Sequence, residues 1–137
     1  MTVAVVDAGP LYAAVNADDP DHERSLEVLA RPALELVIPA LVVAEVTYLV
    51  GARMGSQTES VFLRSLEQFA IEAPDPRDWE RIGDLVERYA DLPLGGTDAS
   101  VVALAERTNA RIVITLDRRH FSVVRPRHCE SFELVPA

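Results

Sequence analysis

The sequence contains no lysine and only one cysteine, and each shortage excludes a class of chemistry. All thirteen basic residues are arginines, so no mechanism that depends on a lysine amine operates in this chain. The GK[ST] phosphate-binding motif of P-loop kinases is therefore absent. The single thiol, Cys129, excludes an internal disulfide and is typical of a protein kept in the reducing cytoplasm.

The chain also lacks a long apolar run and the pattern of a secretory leader. The longest apolar window, residues 36–52, is interrupted by Pro39 and Glu45 and is too short to cross a bilayer. The first ten residues have no basic segment ahead of an apolar stretch, so we expect no signal peptide. With no repeats or low-complexity segments, we expect one domain over residues 1–137, in the cytoplasm and without a membrane partner.

Positive charge is scarce and unevenly distributed. The net charge of −9 argues against nucleic-acid binding by a generally basic surface. Residues 111–128 are the exception, because they hold five arginines and one acidic residue, Asp117, which gives them a net charge of +4. These arginines either form a path for a polyanion, or are solvated or paired with acidic neighbours elsewhere in the fold. Both interpretations are compatible with the sequence.

Hydrophobic patterning predicts a chain in which short strands alternate with helices. Five segments have the apolar character of strands, namely TVAVV, LELVIPA, FAIEAP, ARIVITL and SFELVP. This alternation favours an α/β fold with a mostly parallel central sheet of about five strands and helices on both faces. In such sheets ligands bind outside the carboxyl ends of the strands. Polar residues at those ends are therefore the candidate site residues.

Capping residues predict where several helices begin. Pro10 is expected to open the first helix, and Asp19 to cap the second. Ser56 with Glu59 matches a capping box for a later helix, and Thr97 is expected to cap the helix that follows DLPLGG. An amphipathic helix between these two is expected to bury one stripe, made of Trp79, Ile82, Val86 and Tyr89.

One carboxylate stands inside an otherwise apolar helix, in the stretch IPALVVAEVTYLVGA. Glu45 has only uncharged residues three and four positions away, and Arg53 is two turns farther along. Burying an unpaired carboxylate is costly, so such groups pair, bind a metal or become protonated. The alternative is a glutamate that reaches solvent at the edge of a buried helix.

Three aspartates stand where the predicted sheet brings them towards Glu45. Asp7 directly follows the first strand, Asp117 directly follows IVITL, and Asp98 opens a helix. Because parallel strands end at one edge of a sheet, all four carboxylates could converge there. Each aspartate taken alone also has a structural interpretation. Asp7 could form a turn, Asp98 could stabilise a helix N-terminus, and Asp117 could cap the RRHF turn.

Clustered carboxylates repel one another, and a hard divalent cation relieves that repulsion. Oxygen ligands without cysteine or a histidine pair suit Mg²⁺ or Mn²⁺ better than zinc. His22, His120 and His128 have no metal-ligand spacing and are expected in surface or loop positions. Carboxylate-held metals activate water and neutralise charge during attack on a phosphodiester.

Four segments resemble the acidic motifs of PIN-domain ribonucleases, namely VVDAGPLYAAV, IPALVVAEVTYLV, LPLGGTDASVVALAER and IVITLDRRHF. More narrowly, the chain is similar to VapC-type toxins, over residues 3–135. The resemblance implies a PIN-like fold and a catalytic quartet that binds Mg²⁺ or Mn²⁺, formed by Asp7, Glu45, Asp98 and Asp117. It also implies that the Thr115 hydroxyl supports the metal site, the alternative being an ordinary β-branched strand residue. Asp91 fits the loop pattern, where we expect a turn role.

The resemblance implies the toxin of a type II toxin–antitoxin pair, a ribonuclease in which metal-activated water attacks the RNA backbone. Its expected partners are the RNA substrate, a cognate VapB-type antitoxin protein that wraps the toxin, and a second copy in a homodimer. The alternative is a PIN-like module that binds RNA or protein without turnover. A receiver domain would require a lysine, and a haloacid-dehalogenase-like phosphatase an Asp-x-Asp where this chain has Asp7-Ala8-Gly9.

Overall fold

The computed structural model describes residues 1–137 and contains one sheet in which all four strand pairings are parallel. In space the strands follow the order β3-β2-β1-β4-β5. The strands are β1 (Thr2–Val6), β2 (Leu34–Pro39), β3 (Ala70–Glu72), β4 (Ile112–Ile114) and β5 (Glu133–Val135). The predicted α/β fold with a parallel sheet of about five strands is therefore confirmed.

Seven α-helices connect the strands. They are α1 (Ala8–Val15), α2 (His22–Leu29), α3 (Ala40–Met54), α4 (Ser56–Ser65), α5 (Asp78–Arg88), α6 (Gly96–Thr108) and α7 (Arg118–Phe121), with a short 3₁₀ turn at Leu66–Gln68. Because crossovers between parallel strands are right-handed, α1 to α4 cover one face of the sheet, and α5 and α6 cover the other. None of the helices has both the length and the apolar character that a membrane crossing demands.

The strand order creates a crevice between β1 and β4. From β1 the chain moves outward to β2 and β3, and it then returns to place β4 on the other side of β1. At such a reversal the flanking helices diverge, and ligands bind outside the carboxyl ends of the two strands. Asp7 follows β1, and the segment 115–117 follows β4. Two of the predicted acidic positions thus border the crevice.

The core holds these strand ends in place. Val5, Val6, Val113 and Ile114 have no exposed surface, as expected for a parallel sheet covered on both faces. Helix α6 has seven consecutive buried residues, 99–105, most of them alanine or valine, and packs against β1, β2 and β4. Its first turn, which carries Asp98, therefore stands on a rigid support.

Two predicted helix starts are wrong by two residues. Helix α1 begins at Ala8, so Pro10 lies within its first turn, where a proline removes no intrahelical hydrogen bond. Helix α2 begins at His22, and the Asp19 carboxylate accepts a hydrogen bond from the Asp21 N–H at 2.8 Å. Asp19 thus closes a local turn ahead of the helix and does not cap it.

The predicted caps of α4 and α6 are also wrong. No side-chain cap bond starts α4, and Glu59 instead accepts a 2.6 Å hydrogen bond from the Thr47 hydroxyl of α3. A tertiary contact has replaced the local capping box that Ser56 would complete. Gly95, and not Thr97, occupies the N-cap of α6.

The predicted buried stripe of α5 is only partly correct. Ile82 and Leu85 are buried, whereas Trp79 is 52% exposed and Val86 is 36% exposed. Tyr89 packs against the core, so the packed stripe runs through 82, 85 and 89. Trp79 lies in the first turn, beyond the stripe that contacts α6.

Candidate metal centre

Asp7 lies at the carboxyl end of β1 and is only 5% exposed. Its N–H donates to the Ile114 carbonyl at 2.9 Å, which extends the pairing of β1 with β4 by one residue. Its carboxylate oxygen Oδ2 accepts a 2.7 Å hydrogen bond from the Thr115 hydroxyl. Although Asp7 precedes α1, its side chain makes no capping hydrogen bond to that helix. The Thr115 hydroxyl is therefore the side-chain group that orients this carboxylate.

Thr115 links Asp7 to the loop after β4. This residue is fully buried, and its Oγ1 donates to Asp7 while accepting the Asp117 N–H at 2.9 Å. Its own N–H donates to the Val135 carbonyl of β5 at 2.9 Å. One hydroxyl thus fixes both the orientation of the Asp7 carboxylate and the start of the Asp117 turn. Thr115 does more than fill a strand position.

Asp117 caps α7, with Oδ1 accepting the His120 N–H at 3.0 Å. The other carboxylate oxygen, Oδ2, contacts Nδ1 of His120. The His120 side chain is only 19% exposed, so the expectation of a surface or loop position is wrong for this residue. The missed signal is the Asp-x-x-His spacing, since the third residue after an N-cap faces back towards the cap.

Asp98 completes the group from the first turn of α6. One oxygen of Asp98, one oxygen of Asp117 and one nitrogen of His120 lie within 4.8 Å of one another. Ligand atoms about 2.0–2.2 Å from a shared ion have separations in this range. The spacing of these three side chains therefore fits a single cation.

Glu45 borders the same group from the second turn of α3. Its side chain is exposed, whereas Val42 and Val46 on the same helix are fully buried. Partial burial, followed by the charge of Asp7, raises the pKa of Glu45, and its own charge raises the pKa of Asp98. Glu45 thus lies outside the apolar core and is electrostatically linked to two of the aspartates.

One cluster is formed by Asp7, Asp98, Asp117 and His120. Its three carboxylates concentrate negative charge without an arginine to neutralise it. Burial raises the pKa of Asp7 from 3.8 to about 6, with the charges of Asp98 and Asp117 adding to the effect and the Thr115 hydrogen bond opposing it. Burial is also the main cause that raises the pKa of Asp98. Every ion pair formed by an arginine involves a carboxylate outside the cluster. This donor set fits a divalent cation.

The arginines of residues 111–128 do not form one surface beside the cluster. Arg111 directly precedes β4, and the Arg127 N–H donates to Glu106 near the C-terminal end of α6, so these two arginines lie towards the amino ends of the strands. Arg118 and Arg119 in α7 adjoin Asp117. Arg118 donates to two carbonyls in and just after β5, and Arg119 is exposed without an ion pair. A path for a polyanion at this edge is therefore limited to α7.

Four other candidate residues lie outside the cluster. Asp91 is exposed in the turn between α5 and α6. His22 and His128 each contact a backbone carbonyl elsewhere in the fold, and Cys129 is a partly buried free thiol near the C-terminus.

The sequence matches a known family over most of its length. The model of the PIN domain family matches residues 4–125. The chain belongs to the PIN-domain family. Strand β5 of this PIN domain lies beyond the matched residues, yet it completes the sheet and supplies the carbonyl that accepts the Thr115 N–H.

The similarity extends to a narrower group within the family. The chain is 37% identical to "Ribonuclease VapC26" of Mycobacterium tuberculosis (strain ATCC 25618 / H37Rv) over 134 residues, which cover 96% of this chain and 99% of that protein. This PIN-domain protein is therefore of the VapC type, and the family predicted from the four acidic segments is confirmed.

Two solved structures have the same fold. The Mycobacterium tuberculosis toxin VapC20, described as cleaving the sarcin–ricin loop, has a TM-score of 0.75 at 17% identity and covers 80% of this chain and 86% of its own. VapBC2 from Rickettsia felis, bound to a DNA fragment from its promoter, has a TM-score of 0.71 at 20% identity. The match covers 97% of this chain and 98% of that one. At these identities the comparison establishes the architecture of the PIN domain.

Proposed function

We propose that this PIN-domain protein is a ribonuclease dependent on Mg²⁺ or Mn²⁺, acting in the cytoplasm as the toxin of a type II toxin–antitoxin pair. The observation that carries the proposal is that Asp7, linked through Thr115 to Asp117, adjoins the Asp98–Asp117 pair at one sheet edge with no arginine partner. The 37% identity to a protein named as a ribonuclease supports the same activity. The oxygen-rich donors at this sheet edge match the preferences of Mg²⁺ and Mn²⁺.

The chain holds its carboxylates in fixed positions before any substrate arrives. Asp7, Asp98 and Asp117 would hold the metal, and the Thr115 hydroxyl would keep the first of them oriented. A bound divalent cation neutralises the phosphodiester charge and lowers the pKa of the attacking water. Rigid support of this kind matters because small errors in ligand geometry reduce both metal affinity and rate.

Glu45 is placed differently from the three aspartates. Its side chain is exposed, so it is accessible to water and to a bound substrate. Its raised pKa makes it a stronger base than an ordinary glutamate. We assign to Glu45 either the orientation or deprotonation of the attacking water, or the completion of the metal shell.

Cleavage of RNA is the direct test. Purified protein should cut a panel of structured and single-stranded RNAs with Mg²⁺ or Mn²⁺ and fail to cut them in EDTA. Asp98→Asn should lose nearly all activity, whereas Asp91→Asn, which changes an exposed carboxylate outside the cluster, should cut normally. If the wild type cuts none of the RNAs with either metal, the protein is a binding module without turnover.

RNA binding should also depend on metal, because the protein carries a net charge of −9. A divalent ion reverses the local sign of charge where a phosphate must lie. With a non-cleavable RNA analogue at matched ionic strength, Mn²⁺ should tighten binding in the wild type and much less in Asp7→Asn. Equal affinity in EDTA and Mn²⁺ would mean that the arginines alone bind RNA.

The proposed antitoxin has an apolar candidate docking surface. An apolar groove of about 580 Å³ lies between α1, α2 and α4 and includes Leu11, Leu26, Val61 and Phe62. Val61 is 63% exposed and Leu26 is 41% exposed. Apolar side chains grouped on the surface in this way are typical of a protein-interaction site. Other structures with this fold were solved as toxin–antitoxin complexes. We propose an apolar helix of the cognate antitoxin as the occupant.

Co-expression with the product of the reading frame directly upstream of the gene, where the proposed pairing expects the antitoxin, tests this surface. Val61→Glu should weaken the complex, whereas Leu63→Glu, on the same helix but outside the groove, should leave it intact. If Val61→Glu instead converts a homodimer to a monomer without affecting antitoxin binding, the groove belongs to the proposed homodimer interface.

A further inference from the structure

His120 brings a nitrogen donor to a cluster otherwise made of oxygen donors. One of its ring nitrogens lies within 4.8 Å of an oxygen of Asp98 and an oxygen of Asp117. Nδ1 contacts the Asp117 carboxylate, while Nε2 is shielded from solvent and has no hydrogen-bond partner. All polar contacts of the ring are therefore on the side of the carboxylates.

The position of the ring is determined by the local structure of α7. Asp117 caps this short helix through the His120 N–H, and the next residue, Phe121, is 1% exposed and anchors the helix in the core. The backbone on both sides of His120 is thus held in place. This anchoring of the backbone places the imidazole beside the carboxylates.

We propose that His120 is a nitrogen ligand of the cation held between Asp98 and Asp117, and that it shifts the metal preference of the site from Mg²⁺ towards Mn²⁺. This inference rests on the proposed metal-dependent function. Mg²⁺ prefers oxygen ligands and retains several waters, whereas imidazole suits first-row transition metals. A single nitrogen ligand should therefore favour Mn²⁺ selectively, while an added carboxylate would favour both ions.

A second role for His120 makes a different prediction. If the ring only orients Asp117 through a hydrogen bond, its loss should weaken Mg²⁺ and Mn²⁺ binding to a similar extent. His120→Asn separates the two roles, because an asparagine amide reaches a position close to that of Nδ1 and can still donate to Asp117. The asparagine has no imidazole nitrogen to offer a metal. His22→Asn is the matched control, since His22 lies outside the cluster and its Nδ1 also contacts a neighbouring oxygen.

Two measurements on the intact protein test the proposal. Pulsed electron paramagnetic resonance of the Mn²⁺-loaded protein should show hyperfine coupling to a directly bound nitrogen in the wild type and in His22→Asn. The coupling should be absent from His120→Asn. Calorimetric titration should show that the Mn²⁺:Mg²⁺ affinity ratio falls about tenfold or more in His120→Asn, the lower end of the range for losing a group that supports a metal site.

The outcomes distinguish this inference from the function on which it rests. If Mn²⁺ binds to the wild type without nitrogen coupling, or if His120→Asn keeps the wild-type affinity ratio, His120 is not a ligand and the proposed ribonuclease function is unaffected. If Mn²⁺ does not bind to the wild type at all, both the inference and the metal dependence of the proposed function are wrong.

Discussion

Replacing Asp7 with asparagine should stabilise the metal-free protein at neutral pH. Burial among like charges raises the pKa of Asp7 from 3.8 to about 6 in the folded chain. Ionising this carboxyl group therefore costs more in the folded state than in the unfolded state. Since each tenfold change in an acid constant corresponds to about 1.4 kcal/mol, the cost at neutral pH is about 3 kcal/mol. Asparagine carries no charge and avoids it.

The gain should appear only in a defined pH window. Because the folded pKa is raised, the folded state binds the proton more tightly than the unfolded state does. Below pH 3.8 the group is protonated in both states, and no penalty applies. As pH rises from 3.8 to about 6 the wild type loses free energy of unfolding, and above that range the loss is complete. The variant loses none of this contribution.

The net effect should be smaller than the full electrostatic cost. The asparagine oxygen can still accept the Thr115 hydrogen bond, but its NH₂ group enters a buried position without a partner. An unsatisfied buried donor costs about 1–3 kcal/mol. We therefore expect a net gain of about 0–2 kcal/mol at pH 7.5, which corresponds to a rise in Tm of up to roughly 8 °C for a domain of this size.

Denaturant unfolding in EDTA between pH 4 and pH 7.5 measures this difference. Asp91→Asn is the control, because it removes an exposed carboxylate from a turn and should show no such pH dependence. A difference between Asp7→Asn and the wild type that is constant with pH would refute the reasoning. A variant that is less stable than the wild type at pH 7.5 would refute it too. With saturating Mn²⁺ the order should reverse, because only the wild type gains the binding free energy.

Three further outcomes follow from the same geometry. Mn²⁺ affinity of the wild type, measured by calorimetry, should increase about tenfold per pH unit below pH 6, because the ion must displace the Asp7 proton. Thr115→Val should lower Mn²⁺ affinity by about 10–100-fold while retaining the fold, since it deletes only the hydroxyl that orients Asp7. Arg119→Ala should reduce the salt dependence of RNA binding by about 0.7 in slope, while Arg111→Ala at the opposite sheet edge leaves it unchanged.

The sheet edge could be predicted from sequence because it depends on chain topology. Asp7 and Asp117 follow apolar strands directly, and parallel strands bring such positions together whatever the details of packing. The helix starts could not be predicted, because local capping competes with tertiary contacts. The Glu59 carboxylate, for example, binds the Thr47 hydroxyl of a neighbouring helix at 2.6 Å and leaves the capping box unformed.

The distribution of charge along the sequence did not predict its distribution over the surface, because this too depends on tertiary structure. The connection from β4 to β5 begins at the carboxyl edge of the sheet and must return to the amino edge, so the arginines of residues 111–128 are divided between the two edges. His120 was missed for the opposite reason. Its relation to Asp117 is local, but the spacing between histidines does not reveal it. The spacing between the histidine and the capping aspartate does.

The cost of burying Asp7 and the capacity of the site to bind a cation have the same origin. Its raised pKa measures how unfavourable the buried charge is when nothing neutralises it. In the proposed site, a divalent ion beside the carboxylate would remove that penalty, so free energy lost on folding would be recovered on metal binding. An exposed aspartate would cost the fold less, but it would also gain less from the ion. The buried carboxyl ends of strands β1 and β4 on either side of the crevice provide the packing that lets the metal-free fold tolerate this charge.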